Sequence, residues 1–272
     1  MIVITGATGN VGRPLVQALI DAGEKVTAVA RNTSYVPDGV RRTQADLTDP
    51  ATLKPAVDGA DALFLLTSAD FMENGNLSDV MEVVRAAGVR RIVLLSSQGV
   101  GTQRHPSNLE DAVKASELEW TILRPGNFDS NALQWADSVR TQRLVAAPFG
   151  DVALPAIDPA DIAAVAALAL RESGHAGNTY TLTGPAPISP RQQAAAIGEA
   201  LDEPVQFVEL TRAEARTHML AYMPEPVVES TLEILGNPKP AEQQVSLDVE
   251  RILGRPPRTF ATWATHSAPA FK

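Results

Sequence analysis

The chain predicts an α/β fold, a doubly wound parallel sheet followed by a small, mostly helical C-terminal lobe. Three observations carry this expectation. Short strands that are apolar on both faces alternate with amphipathic helices over the first two-thirds of the chain, the pattern of a parallel sheet covered by helices on both sides. The first strand runs directly into a glycine-rich turn and then a helix. In the final third the alternation stops, and helix-start signals and prolines dominate. Residues 1–185 are therefore expected to form the sheet domain and 186–272 the lobe, with some cleft residues drawn from 128–155.

The elements follow in order. Ile2 to Thr5 reads as the first strand. Val11 to Ala22 reads as a helix, with apolar residues at Val11, Leu15, Val16, Leu19 and Ile20, and Gly23 as its stop. Lys25 to Ala30 and, more weakly, Val40 to Ala45 are the next strands. Asp49 is expected to cap a helix that has Pro50 in its first position and ends at Gly59. Ala62 to Thr67, Arg91 to Ser96 and Trp120 to Arg124 are apolar strands, separated by helices over Asn76 to Ala87 and Asn108 to Ser116. Asp158-Pro159 opens a helix to about Arg171, and Thr179 to Leu182 is a late strand. In the lobe, Ser189-Pro190-Arg191-Gln192 and Thr211-Arg212-Ala213-Glu214 are capping boxes on either side of a short strand, Val205 to Leu210. A further helix ends near Gly236, and a last short one covers Phe260 to Ala264.

Composition excludes several function classes. With 272 residues, 44% hydrophobic and 20% charged, the chain is ordinary for a globular protein and long enough to bury its own core. It contains no cysteine, which excludes disulfides, zinc-thiolate sites, iron–sulfur clusters and a cysteine nucleophile. The net charge is −9 and no run exceeds two consecutive basic residues, which argues against a nucleic-acid partner. The N-terminus shows no signal peptide, and no window approaches the ~18 consecutive apolar residues of a membrane span. The expectation is a cytoplasmic protein without a membrane partner, monomeric or homodimeric. His175, His218 and His266 stand isolated, so no metal site is expected.

The chemistry sits in Thr5-Gly6-Ala7-Thr8-Gly9-Asn10-Val11-Gly12. Glycine is needed at each of the positions 6, 9 and 12, for a tight turn, for close approach of backbone to a pyrophosphate, and for close packing of helix on strand. The helix N-terminus then offers free N–H groups and a positive dipole end to the phosphates. Gly6, Thr8, Gly9, Asn10, Val11 and Gly12 are thus candidate cofactor contacts. Arg31 ends the second strand, where an acidic residue would bind the ribose 2′-OH of NAD and an arginine suits the 2′-phosphate of NADP. NADPH is expected as the preferred cofactor, with NADH possible. Asn32, Thr33 and Ser34 are candidates for hydrogen bonds to that phosphate, and Asp46-Leu47 for flanking the adenine.

Three stretches together resemble the NmrA-like branch of the atypical short-chain dehydrogenases/reductases. They are the glycine turn, Trp120-Thr121-Ile122-Leu123-Arg124-Pro125-Gly126-Asn127-Phe128, and Ile157-Asp158-Pro159-Ala160-Asp161-Ile162-Ala163. The resemblance covers essentially the whole chain. It implies a Rossmann-type domain that binds NAD(P)H, a small lobe, and a substrate cleft between them. The family holds NADPH:quinone oxidoreductases, isoflavone-reductase-like enzymes and redox-sensing regulators without turnover. On this resemblance Thr67 and Ser68 line the ribose and nicotinamide side, Ser96, Ser97 and Gln98 end the fifth strand at the crevice, and Pro125, Asn127 and Phe128 lie near the nicotinamide.

The sequence departs from the broader superfamily at the catalytic pair. Short-chain reductases commonly use Tyr-x-x-x-Lys, but Tyr35, Tyr180 and Tyr222 have no lysine four residues on. Glu110 to Lys114 has the spacing with Glu in the Tyr place, and Glu110 matches a helix glutamate of this branch instead; Lys114 reads as a surface helix lysine. Hydride transfer needs geometry above all, and a quinone needs less acid help than a simple ketone. Gln98 is the candidate to hydrogen-bond an acceptor carbonyl, and His105 the candidate proton donor. Phe128, Trp135, Met219, Tyr222 and Met223 are the candidate contacts for a planar small-molecule substrate. Two readings follow: an NADPH-dependent oxidoreductase passing hydride to a quinone or related planar conjugated carbonyl compound, or a non-catalytic NADP(H) sensor acting through a protein partner.

Overall fold

The computed structural model describes residues 1–31 and 36–272. Among them, in chain order, lie β1 (Ile2–Thr5), α1 (Gly12–Asp21), β2 (Val26–Ala30), β3 (Arg41–Gln44), α2 (Lys54–Val57), β4 (Ala62–Leu65), α3 (Ala69–Asn74), α4 (Leu77–Ala86), β5 (Arg91–Leu95), α5 (Gln98–Gly101), α6 (Asn108–Lys114), β6 (Glu119–Pro125), α7 (Ala136–Gln142), β7 (Leu144–Pro148), α8 (Pro159–Arg171) and β8 (Asn178–Leu182). They continue with α9 (Pro190–Leu201), β9 (Gln206–Leu210), α10 (Arg212–Met219), α11 (Glu225–Gly236), α12 (Pro240–Gln243), α13 (Asp248–Leu253) and α14 (Phe260–Ser267).

Seven strands form one parallel sheet in the order β3-β2-β1-β4-β5-β6-β8. Ile2 of β1 stands between Val26 of β2 and Ala62 of β4, so the direction of winding reverses at β1/β4. Alternation along the strands sorts the core. Leu63, Leu65, Ile92, Leu94 and Ile122 join one cluster with Leu53, Val57, Val80, Val84 and Val113 of the covering helices. The intervening Phe64, Val93 and Leu123 are equally buried, and α1 and α8 pack together against the strands. Strands with both faces covered are mostly apolar, which is why they read as near-continuous apolar runs, with threonine as the buried polar residue at Thr5, Thr27 and Thr121.

The chain divides into two compact units that are discontinuous in sequence, whereas the composition shift suggests a single cut at 185/186. The first is Met1–Pro125, Pro159–Leu182 and Asp248–Gly254, and the second is Gly126–Asp158, Thr183–Leu247 and Arg255–Lys272. In the first, Asp248 at the start of α13 accepts the Thr181 backbone N–H of the edge strand β8 at 2.9 Å. In the second, β7 and β9 form a two-stranded parallel sheet. Its core holds Trp135, Val139, Val145, Ile197, Phe260, Trp263 and Phe271, with a satellite cluster of Ala215, Met219, Val228 and Leu232 in the α10–α11 pair.

Both capping boxes form as their spacing predicts, on α9 and α10. The helix expected after Asp49 is instead a 3-10 turn, Pro50–Leu53, followed by α2, and the Asp49 side chain makes no cap bond. Pro55 explains this, because it has no N–H to give a carbonyl one turn earlier. The last helix runs to Ser267, past the expected end at Ala264. The short helices α3, α5 and α7 and the strand β7 carry no periodic signal of their own.

Candidate functional site

The site of the first unit starts at the carboxyl end of β1. Thr5 Oγ1 accepts the Leu66 backbone N–H at 2.7 Å and lies 3.0 Å from the Leu66 carbonyl, so β1 and β4 are joined beyond their last paired residues. Gly6 then turns the chain with φ of +63°, and a Cβ there would stand 2.5 Å from Leu66 Cδ2. Ala7 N–H donates to the Val29 carbonyl at 3.3 Å, tying the turn to β2. At Gly12, a Cβ would lie 2.1 Å from the Gly6 carbonyl oxygen and 2.7 Å from Ala7 Cα. At Gly9 it would meet only the Gly6 carbonyl oxygen, at 3.3 Å. The first and third glycines are therefore demanded by the protein's own packing, whereas the second leaves its outer side open.

Helix α1 begins directly behind this turn. Its N-cap, Val11, has no side chain able to satisfy the first N–H groups, and its first turn holds no acidic residue. No capping or acidic side chain thus offsets the positive end of the helix, while the Arg13 N–H donates to the Gly9 carbonyl at 3.0 Å. Arg13 Nε donates to the Thr8 carbonyl at 2.7 Å and braces the turn. A cradle with no room for side chains at its first and third glycines, an open second glycine and a helix N-terminus without a capping or acidic side chain fit the pyrophosphate of a dinucleotide.

The other predicted contacts fall around this frame. Thr8 is half-buried and Asn10 exposed, with Val11 buried. Arg31 is exposed just beyond β2; Asn32, Thr33 and Ser34 lie outside the described residues. Asp46 accepts from Thr48 N–H at 3.0 Å and Thr48 Oγ1 at 2.8 Å. These bonds, with a smaller contribution from the Arg31 charge, hold its carboxyl below the ordinary carboxylate value. Leu47 packs partly buried on the core cluster, a supporting position. Thr67 Oγ1 points at Met72 Sδ, 3.6 Å away. Ser68 caps α3 by accepting Phe71 N–H at 3.2 Å.

The carboxyl ends of β5 and β6 form a second polar group. Ser97 caps α5 by accepting Gly99 N–H at 2.9 Å, and its Oγ is 3.0 Å from His105 Nδ1. Gln98 is the half-buried first residue of α5, and His105 is exposed. Ser96 Oγ donates to Glu110 Oε1 at 2.7 Å. Glu110 is buried, which alone would raise its pKa, but hydrogen bonds from Arg124, Ser96 and Lys114 and the Arg124 charge leave it lowered. Lys114 is 3.4 Å from Glu110 and lies over the Trp120 ring. Sequence reasoning passed over Glu110 and Arg124 as functional groups. The Glu110–Lys114 spacing was visible as a helix pair, but nothing local announces the partnership with Arg124.

Pro125 ends β6 opposite Leu182. Asn127 and Phe128 belong to the second unit, where Ile157 N–H donates to the Asn127 carbonyl at 2.8 Å and Phe128 bridges to Ile157. There, Trp135 and Met219 are core side chains, each 8% exposed. Met223 is half-buried beside the α10–α11 cluster, and Tyr222 is 60% exposed. Among the described residues no group of acidic side chains and histidines is arranged to hold a metal, and no helix is long and apolar enough to cross a membrane.

A glycine cradle at the winding reversal of a doubly wound sheet defines a dinucleotide-binding protein. Residues 6–173 match the profile of a family described as NAD(P)H-binding. The chain belongs to that family, and its motifs group it with the NmrA-like atypical short-chain dehydrogenases/reductases. It is 38% identical to a (4-alkanoyl-5-oxo-2,5-dihydrofuran-3-yl)methyl phosphate reductase of Streptomyces griseus, over 100% of this chain and 99% of that protein. It is 32% identical to an NAD(P)H azoreductase of Xenophilus azovorans, over 100% and 99%. Its fold matches the structure of an NADPH-dependent quinone oxidoreductase from Escherichia coli complexed with NADPH, with a TM-score of 0.82, 26% identity, and 98% and 99% of the two chains covered.

Proposed function

We propose that this chain is an NADPH-dependent oxidoreductase that delivers hydride to a quinone or a related planar, conjugated carbonyl compound. The glycine cradle at the N-terminus of α1 is the observation that carries the reading. The relatives support it. One is named for reducing a ring whose double bond is conjugated to carbonyl groups, one for reducing azo compounds and one for reducing quinones. All three names describe the reduction of a double bond.

NADPH supplies the hydride when bound. Gly6, Gly9 and Gly12 with the first turn of α1 hold the pyrophosphate, and Arg31 the 2′-phosphate. Asp46 and Leu47 flank the adenine, and Thr67, Ser68, Ser96 and Pro125 line the ribose and nicotinamide. The Gln98 side-chain amide donates to the acceptor's carbonyl oxygen as charge builds there. His105 delivers the proton that completes the reduction, oriented by its Nδ1 contact with Ser97. In the second unit, Tyr222, Phe128 and Met223 keep exposed surface, whereas Trp135 and Met219 are core side chains.

The test is NADPH oxidation by the purified protein, followed by dihydronicotinamide absorbance, with benzoquinones, naphthoquinones, unsaturated lactones and simple ketones as acceptors. Saturable turnover with the conjugated acceptors and not with simple ketones is expected. A Gln98→Ala, His105→Ala variant is expected to lose most of that turnover. Tight NADPH binding with oxidation no faster than a blank across the panel would overturn the enzyme reading in favour of an NADP(H) sensor.

A further inference from the structure

The segment 96–105, running from the end of β5 through α5 to His105 and carrying both proposed catalytic side chains, is tied to the sheet through one buried carboxylate. Glu110 on α6 has a side chain only 1% exposed. Its Oε1 accepts from Ser96 Oγ at 2.7 Å and from Arg124 Nε at 2.8 Å, and its Oε2 accepts from Arg124 Nη2 at 2.6 Å. Ser96 is the first residue past β5 and Arg124 lies in β6, so this carboxylate joins two strand ends and a helix. Arg124 also rests on α5, where a Cβ on Gly101 would stand 3.0 Å from its Nη1.

The turn itself is closed by internal bonds. Ser97 Oγ holds Gly99 N–H and His105 Nδ1, and the Gly99 carbonyl accepts the N–H groups of Arg104 at 2.7 Å and His105 at 3.0 Å. It is a small body gripped at Ser96 on one side and across Gly101 on the other, and both grips run to Glu110. A forked, two-bond arginine–carboxylate pair fixes angle as well as distance. A buried ion pair is a weak source of stability, because an apolar pair of like volume often does as well. Its value here lies in where it sets the turn.

We propose that Glu110 is a positioning residue. Through Ser96 and Arg124 it sets where Gln98 and His105 stand toward the acceptor, and it acts on turnover and not on the hold that the glycine cradle and Arg31 have on NADPH. The catalytic half rests on the proposed reductase function, whereas the ordering of residues 96–105 does not.

The experiment compares full-length wild type with Glu110→Gln, which keeps volume and the bond to Ser96 but removes the charge that fixes the Arg124 fork. A kcat fall of about tenfold to a hundredfold is expected, the scale of misplacing a reacting group by up to an ångström. The NADPH dissociation constant is expected to rise by no more than about fivefold, since Ser96 is one of several ribose and nicotinamide contacts and the phosphate contacts are left alone. Amide hydrogen exchange is expected to quicken over 96–105 and not over 5–15. A Glu110→Leu, Arg124→Met double variant separates position from stability: its thermal midpoint is expected to return toward wild type without recovery of kcat or of protection over 96–105. Wild-type kcat in a folded Glu110→Gln, unchanged protection over 96–105, recovery of kcat in the double variant, or a loss of NADPH affinity matching the loss of kcat would each overturn the proposal. If wild type reduces no acceptor, the reductase reading fails, and hydrogen exchange alone decides whether Glu110 orders the turn.

Discussion

Alanine placed at Gly9 and at Gly12 separates what the protein needs from what the cofactor needs. At Gly12 the new Cβ would lie 2.1 Å from the Gly6 carbonyl oxygen and 2.7 Å from Ala7 Cα, both backbone atoms. The turn must move by on the order of 1 Å to relieve this, and overpacking of that kind costs about 1–3 kcal/mol. At Gly9 the same Cβ would meet only the Gly6 carbonyl oxygen, at 3.3 Å, so the folded protein should give up less than about 0.5 kcal/mol. A pyrophosphate seated on this turn changes the comparison. The Gly9 methyl directly, and the Gly12 methyl by shifting the turn, would cost it a charged hydrogen bond worth about 1.5–3 kcal/mol, which is about tenfold to about a hundred-and-fiftyfold in affinity. Calorimetric melting and fluorescence titration with NADPH give the two quantities. Gly12→Ala should lower both the melting temperature and the affinity, and Gly9→Ala the affinity alone. Wild-type NADPH affinity in Gly9→Ala would refute the seating of the pyrophosphate on this turn, and an unshifted melting point in Gly12→Ala would refute the packing argument.

The other predictions follow from single residues. Arg31→Ala should raise the NADPH dissociation constant by about tenfold, for one exposed charged bond, and leave NADH unchanged; equal loss for both would remove the 2′-phosphate assignment. Trp135→Ala should destabilise the second unit by about 3–5 kcal/mol as a core truncation, read by denaturant unfolding, while NADPH affinity at low temperature holds. Because the Glu110 pKa is lowered on folding from its ordinary value of 4.5, the protons it must bind on acidification oppose the folded state. Its contribution is therefore full above pH 4.5 and lost as pH falls through the lower folded value. Glu110→Gln should flatten the stability curve in that acid window and leave its slope near neutrality unchanged; an unaltered acid limb would show that the group is not held as described.

The backbone shape of the candidate cofactor turn was legible because its determinants are close together in sequence. The three glycines, the strand before them and the helix after them span residues 2–21. The conformation they adopt is set by φ preferences and by close contacts within that segment, apart from Leu66 at Gly6 and Val29 at Ala7. The same holds for the capping boxes at Ser189 and Thr211, where a side chain and a backbone group three residues apart satisfy each other. Where a further term intervened, local at Pro55 and long-range at β7, expectation and structure parted. Pro55 broke the helix that Asp49 and Pro50 seemed to open, and β9 found its parallel partner in β7, a segment with no strand signal of its own.

By itself, then, the sequence determined the fold class, the dinucleotide turn and the absence of a Tyr-x-x-x-Lys pair, since each depends on residue type and short spacing. Only the tertiary structure decided which strands are neighbours and that the compact units interleave along the chain. It alone joined Glu110 to Arg124 and Ser96, each fourteen residues away. Trp135 shows the same division. Its composition suited a flat ligand as well as a core, and packing against Val139, Ile197 and Phe260 made it core. Short-range signals fix local backbone shape, whereas burial and ion pairing depend on which distant segments the folded chain brings together, and no local pattern encodes that choice.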